Sequence, residues 1–112
     1  MAEIFKNVTV ALGNTVDTAV YTANTADLTA AIVIQAQVAN VDGTSAVDLN
    51  MDLYDSSGTT AAALVSTLSV PADSAIVPFS GKVVLEANDE LRAWAGAATG
   101  LELTLGILEI TA

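Results

Sequence analysis

"AVDLNMDLYDSSG" (residues 46–58) carries an acidic or amide side chain at every second position, Asp48, Asn50 and Asp52, followed by Asp55 and a Ser-Ser-Gly turn. Leu49, Met51 and Leu53 fill the alternate positions. The stretch can be read as a calcium loop or as a half-buried β-strand. An EF-hand loop needs carboxylate or amide ligands at alternate early positions, a glycine at the sixth and a glutamate at the twelfth. Counted from Asp48, those two places hold Leu53 and Thr59. In a strand, side chains two apart point the same way, roughly 6–7 Å from each other, so Asp48 and Asp52 do not close on one ion. The strand reading gives Leu49, Met51 and Leu53 a buried face and leaves the acids in water. A calcium role would fall instead to a loop through Asp42 or Asp55, although Asp42-Gly43 is already explained by turn chemistry.

The same period of two recurs along the chain. Ile32, Ile34, Ala36 and Val38 alternate with Val33, Gln35, Gln37 and Ala39, and Leu101, Leu103, Leu105 and Ile107 alternate with Glu102, Thr104, Gly106 and Leu108. Turn signals separate these runs: "LGNT" (12–15), "TANTAD" (22–27), "NVDGTS" (40–45), "DSSGTT" (55–60), "VPADS" (70–74), "FSGK" (79–82), "EANDE" (86–90) and "GAATG" (96–100). The only rival to strand is "TTAAALVSTL" (59–68), whose alanines favour helix but which lacks a helical cap or length. The expected strands are 5–12, 16–22, 29–39, 46–54, 61–69, 75–79, 82–86, 91–96 and 101–111. The fold class expected is all-β, an antiparallel β-sandwich or jelly-roll-like barrel of about eight strands, with residues 1–112 forming a single domain.

The inventory removes much chemistry. There is no cysteine and no histidine, so thiolate catalysis, disulfides and the commonest general base and transition-metal ligand are absent. The serines have no GxSxG setting, and there is no phosphate-binding loop. Glu86, Asp89 and Glu90 are paired carboxylates, but "EANDELR" reads as a polar turn rather than a glycosidase site. Asn7-Val8-Thr9 matches a glycosylation acceptor, but "MAEIFKNVTV" does not have the basic-then-apolar layout of a secretory leader, so the match is expected to be chance. No catalytic, metal-binding or cofactor-binding residue is expected, and no cofactor. Three basic residues, Lys6, Lys82 and Arg92, stand against 13 acidic ones, a net charge of −10. Neither nucleic acid nor an anionic membrane is an expected partner. The apolar run Leu28–Val41 is interrupted by Gln35, Gln37 and Asn40 and is too short to span a bilayer as a helix, so the protein is expected to be soluble as synthesised.

Two features point outward. In the last strand Ile107 belongs to the odd face, yet Leu108 and Ile110 are even. Either a bulge resets the register or both faces are covered there; coverage by a neighbouring subunit is the expectation. Trp94 shares a face with Arg92, opposite Leu91, Ala93 and Ala95. That face is either an outer one bearing an interface anchor or, with the alternation reversed, the core.

"IFKNVTVALGNT…VYTAN" and "GKVVLEANDELRAWAGAATGLELTLGILEIT" resemble a group of small tailed-bacteriophage virion structural proteins. The matching places are Phe5-Lys6-Asn7, Ala39-Asn40, Tyr54 to Gly58, Gly81 to Glu86, Asp89, Leu91-Arg92 and Leu108-Glu109-Ile110. They cover most of the chain and are structural rather than catalytic. The resemblance implies a β-sandwich attached to the head, neck or tail, although this chain is richer in alanine and acid than the group's pattern. The expected function is that of a non-enzymatic virion protein, a capsid decoration or cement protein that stabilises the head shell by protein contacts. A neck, tail or fibre-attached component is the alternative, and a carbohydrate- or calcium-binding sandwich module a weaker one. The expected partners are other virion proteins, the major capsid protein first, and further copies of the chain, for instance in a trimer. The expected location is the virion, assembled in the host cytoplasm. The expected contact residues are Ile4, Phe5, Arg92, Trp94, Leu108 and Ile110.

Overall fold

The computed structural model describes residues 2–12, 16–97 and 99–112. Among the described residues nine strands follow in chain order: β1 (Ala2–Leu12), β2 (Thr18–Thr22), β3 (Leu28–Asn40), β4 (Val47–Asp55), β5 (Thr60–Val70), β6 (Ala75–Ile76), β7 (Val83–Glu86), β8 (Glu90–Ala95) and β9 (Leu101–Thr111). One sheet has the order β1-β9-β3-β6, with β7 also pairing with β3; the other has the order β2-β8-β4-β5. Every pairing is antiparallel. The two sheets form an antiparallel β-sandwich, as the period-two pattern requires. The alanine-rich stretch is strand β5, not helix.

The core follows the alternation. Leu101, Leu103, Leu105 and Ile107 of β9 are buried, and meet Leu49 and Met51 of β4, Leu91, Ala93 and Ala95 of β8, and Leu85 of β7 in one cluster. Burying each large side chain of this kind contributes about 1.5–3 kcal/mol. Asp48, Asn50 and Asp52 point away from the core, but they are half-buried rather than fully wet, and Leu53 is half-buried as well. Asn50 is structural: at a bulge between β4 and β5 its Oδ1 accepts the Thr67 backbone N–H at 2.8 Å.

Three expectations need correction. The expected strand 75–79 shrinks to Ala75–Ile76, because Pro78 has no N–H to donate to a ladder. The first strand begins at Ala2, three residues before the expected start. The phase change lies in β3, not in β9. From Leu101 to Glu109 every odd residue of β9 is buried and its pairing with β1 is unbroken. In β3 the register shifts between Val33, opposite Ile107, and Gln35, opposite Gly106, so Ile34 is the extra residue of a bulge. Before it Ala31 and Val33 face the core; after it Ala36 and Val38 do. The bulge therefore leaves Ile32 and Ile34 on the outside.

Candidate contact surfaces

Directly opposed residues of an antiparallel pair share a face. Phe5 of β1 lies opposite Leu108 of β9, Leu108 opposite Ile32 of β3, and Ile32 opposite Val84 of β7. These four make an apolar row straight across the outer face of the five-stranded sheet. Phe5 is 76% exposed and Val84 56%. Leu108 and Ile32 between them are half-buried. The next row toward one end is Glu3, Ile110, Ala30 and Glu86. Toward the other end, Asn7 opposes Gly106 and Ile34 stands beside it, leaving a depression of about 270 Å³ between Phe5 and Ile34.

The six expected contact residues do not form one site. Phe5, Leu108 and Ile110 share the face just described. Ile4 is on the opposite side of β1, across from Glu109, and is 44% exposed. Arg92 and Trp94 lie on the outer face of the four-stranded sheet, half-buried, across from Asp52 and Asn50. Of the two readings of Trp94, the structure selects the outer one. Ile32, Ile34 and Val84 were missed by sequence reading, because a run such as Ile-Val-Ile fits either phase until a bulge is located.

Arg92 is already engaged. Its Nε donates to Glu90 Oε1 at 2.8 Å, its Nη1 is 3.9 Å from Asp17 Oδ2, and its guanidinium lies 4.1 Å over the Tyr54 ring. The hydrogen bond to Glu90 holds the guanidinium above its ordinary value. Asp52 is pushed up, first by burial and then by the charge and hydrogen bond of Asp17, with Arg92 opposing.

A polar cluster sits where the inner face of β9 runs past the core. Glu109 takes the next inward position after Ile107, with its side chain only 1% exposed. The Tyr21 hydroxyl donates to Oε2 at 2.5 Å, Thr25 Oγ1 to Oε1 at 3.0 Å and Lys6 Nζ to Oε2 at 3.2 Å. Burial alone would raise this carboxyl, but the bonds from Tyr21, Lys6 and Thr25 outweigh it and hold it below the usual carboxylate range. Tyr21 is driven well above its ordinary value, by burial first and by its bond to Glu109 second. The apparent mismatch of even apolar residues in β9 is thus an inward glutamate, satisfied by three donors.

The acidic loops are turn devices. Asp42 Oδ1 accepts from Thr44 N, Thr44 Oγ1 and Ser45 N, and the Thr44 amide foremost lowers its carboxyl. Asp55 Oδ1 accepts from Ser57 N, Ser57 Oγ and Gly58 N, with the Ser57 hydroxyl foremost lowering it. Both are Asx-type turns. Asp55, Glu86 and Asp89 bring ligand atoms within 4.8 Å of one another. Asp89, however, is buried, and accepts from Ser56 N, Ser56 Oγ and Glu86 N. It pins the β4–β5 turn to the β7–β8 turn.

No protein-family model matches the chain, and no curated protein does. Among solved structures it is similar to a chain of the Bacillus endospore appendages, which form a novel family of disulfide-linked pili, at 18% identity and TM-score 0.53, covering 98% of this chain and 89% of that one. It is also similar to a chain of infectious bursal disease virus Gx strain, at 14% identity and TM-score 0.51, covering 97% of this chain and 32% of that one. The protein thus spans about a third of the length of that viral chain. A pentameric capsid protein isolated from metagenomic phage sequences overlaps 94% of this chain and 59% of its own at 21% identity and TM-score 0.48. At these identities the likeness is one of fold. The cysteine-free chain cannot share the disulfide linkage of the pili.

Proposed function

We propose that the chain, as one domain, is a non-enzymatic structural protein of a bacteriophage virion, and specifically a capsid decoration protein that binds and stabilises the head shell. The observation that carries this reading is the uncovered apolar row Phe5–Leu108–Ile32–Val84. An apolar row of this kind suits a protein partner, a further virion subunit, better than a small substrate, and with that row covered the shell is met by the other exposed faces. Arg92 with Trp94 on the opposite face, and Ile4 beside Glu109, are the further proposed contacts. With β7 pairing β3 on the same side as β6, the chain crosses between the two sheets at every connection except β4–β5 and β6–β7, in the manner of a jelly roll, an architecture used in viral capsid domains. The fold shared with a chain of a bursal disease virus particle is in keeping with this, as is the sequence resemblance to tailed-phage virion proteins. A subunit that binds only the assembled shell stabilises it by mass action.

The test is co-sedimentation of the purified protein with heads and with tails isolated separately from the phage that encodes it. Saturable binding to heads, with a rise in their heat resistance, supports the decoration role. Binding to tails alone moves the protein to the neck, tail or fibre. Binding to neither refutes the virion reading.

A further inference from the structure

We infer that the outer face of the five-stranded sheet is a self-complementary interface whose occupant is a second copy of the chain. The inference rests on reading this face as a protein contact, not on the virion role. An isologous dimer requires that wherever one residue meets a second across the two-fold axis, the second also meets the first, and only residues on the axis meet their own counterparts. The apolar row defines such an axis, running across the strands through Phe5, Leu108, Ile32 and Val84. A second copy laid face to face about that line stacks row on row and reverses each strand over itself.

The reversal pairs unlike partners on every strand. On β9, Ile110 comes over Gly106, two residues on the other side of Leu108. Gly106 floors the depression of about 270 Å³ that Phe5, Asn7 and Ile34 surround, so a branched side chain meets a hole. On β3, Ile34 comes over Ala30, again large over small. On β7, Glu86 comes over Lys82, which stands one residue before the strand and in phase with Val84. Lys82 is exposed, and among the described residues no side-chain hydrogen bond or ion pair engages it, whereas Lys6 and Arg92 are tied to acids of their own chain. On β1, Glu3 comes over Asn7, an acceptor over a donor. Four strands thus show the same complementarity about one line, and sheets so stacked take the ordinary face-to-face packing of a sandwich. The net charge of −10 on each copy opposes association, but at physiological salt the screening length of about 8 Å confines that repulsion to charges near the interface.

The experiment is sedimentation equilibrium on the purified protein at physiological salt, with no virion component present. A mass of twice 11.3 kDa is expected. Ile32→Lys should give the monomer mass with an unchanged circular dichroism spectrum; should it fail to fold, Val84→Glu on the exposed edge makes the same test. Lys82→Glu and Glu86→Lys should each weaken the dimer by roughly tenfold, since two exposed pairs become like-charged at once. The double variant Lys82→Glu/Glu86→Lys should recover wild-type affinity within about threefold. A monomer at every concentration, a trimer, or a double variant no better than the single ones overturns the inference. Each of those results leaves head binding to be decided by co-sedimentation alone.

Discussion

Tyr21→Phe removes one oxygen from the buried cluster around Glu109 and leaves the ring in place. The lost bond runs from a hydroxyl to a carboxylate whose side chain is 1% exposed. A hydrogen bond to a charged group contributes about 1.5–3 kcal/mol, and the buried carboxylate is left short of one donor. Thr25 and Lys6 still serve it, so the cost stays within that range. Lys6 is 42% exposed, so solvent screening limits what its ion pair adds. At about 5 °C per kcal/mol for a domain of this size, the midpoint should fall by roughly 8–15 °C.

The cost also has a pH signature. Glu109 is held below its ordinary value of 4.5 in the folded chain. Its ionised form therefore stabilises the fold at pH above the unfolded value, and that stabilisation disappears as pH falls through the folded value. The penalty of Tyr21→Phe should be full at pH 7 and shrink as pH falls below the ordinary value of 4.5 and through the lowered folded value, where the carboxyl takes up its proton. Urea titrations at several pH values measure both, and urea keeps the chain dissolved through its isoelectric region near 4.1. Glu109→Gln should remove most of the pH dependence and couple to Tyr21→Phe in a double-mutant cycle. A penalty below about 0.5 kcal/mol at pH 7, or one that does not change with pH, would refute the view that Tyr21 holds an ionised Glu109.

Other outcomes follow from the same geometry. Trp94→Ala should leave a cooperatively folded domain and lower binding to phage heads, because Trp94 stands on an outer face; loss of the fold in a denaturant titration would return it to the core. Asp89→Ala should cost about 2–4 kcal/mol and speed amide exchange at both Ser56 and Glu86, the two backbone donors it satisfies. Calcium to millimolar concentration should leave the melting temperature unchanged, since Asp89 and Asp55 already accept several bonds each; a clear rise would restore the calcium-module alternative. Asn40→Ala should cost about 2–3 kcal/mol in urea titrations, because its buried amide donates to Ser45 O and Val70 O and accepts from Asp42 N.

Residues 46–58 show how far local pattern reaches. Leu49 and Met51 are buried while Asp48, Asn50 and Asp52 face out, as a period of two requires. The role of Asn50 was not legible, because it depends on a bulge against Thr67, seventeen residues away. Nor was Asp89 readable as more than a turn residue. Its donors come from two separate turns, and only the pairing of β4 with β8 brings them together.

The alternation of apolar and polar residues, the turn residues between runs, and the absence of cysteine and histidine settle by themselves that this is an all-β chain with a narrow chemical inventory. They do so because strand period and side-chain chemistry are local properties. Which face an apolar residue occupies is not local wherever a ladder carries a bulge. The single extra residue Ile34 turns the first half of β3 over relative to the second, so that Ile32 joins Phe5, Leu108 and Val84 outside while Val33 goes in. Only the tertiary pairing decided that Glu109 points inward to three donors and that an apolar row crosses four strands, because register is fixed between strands and not within one.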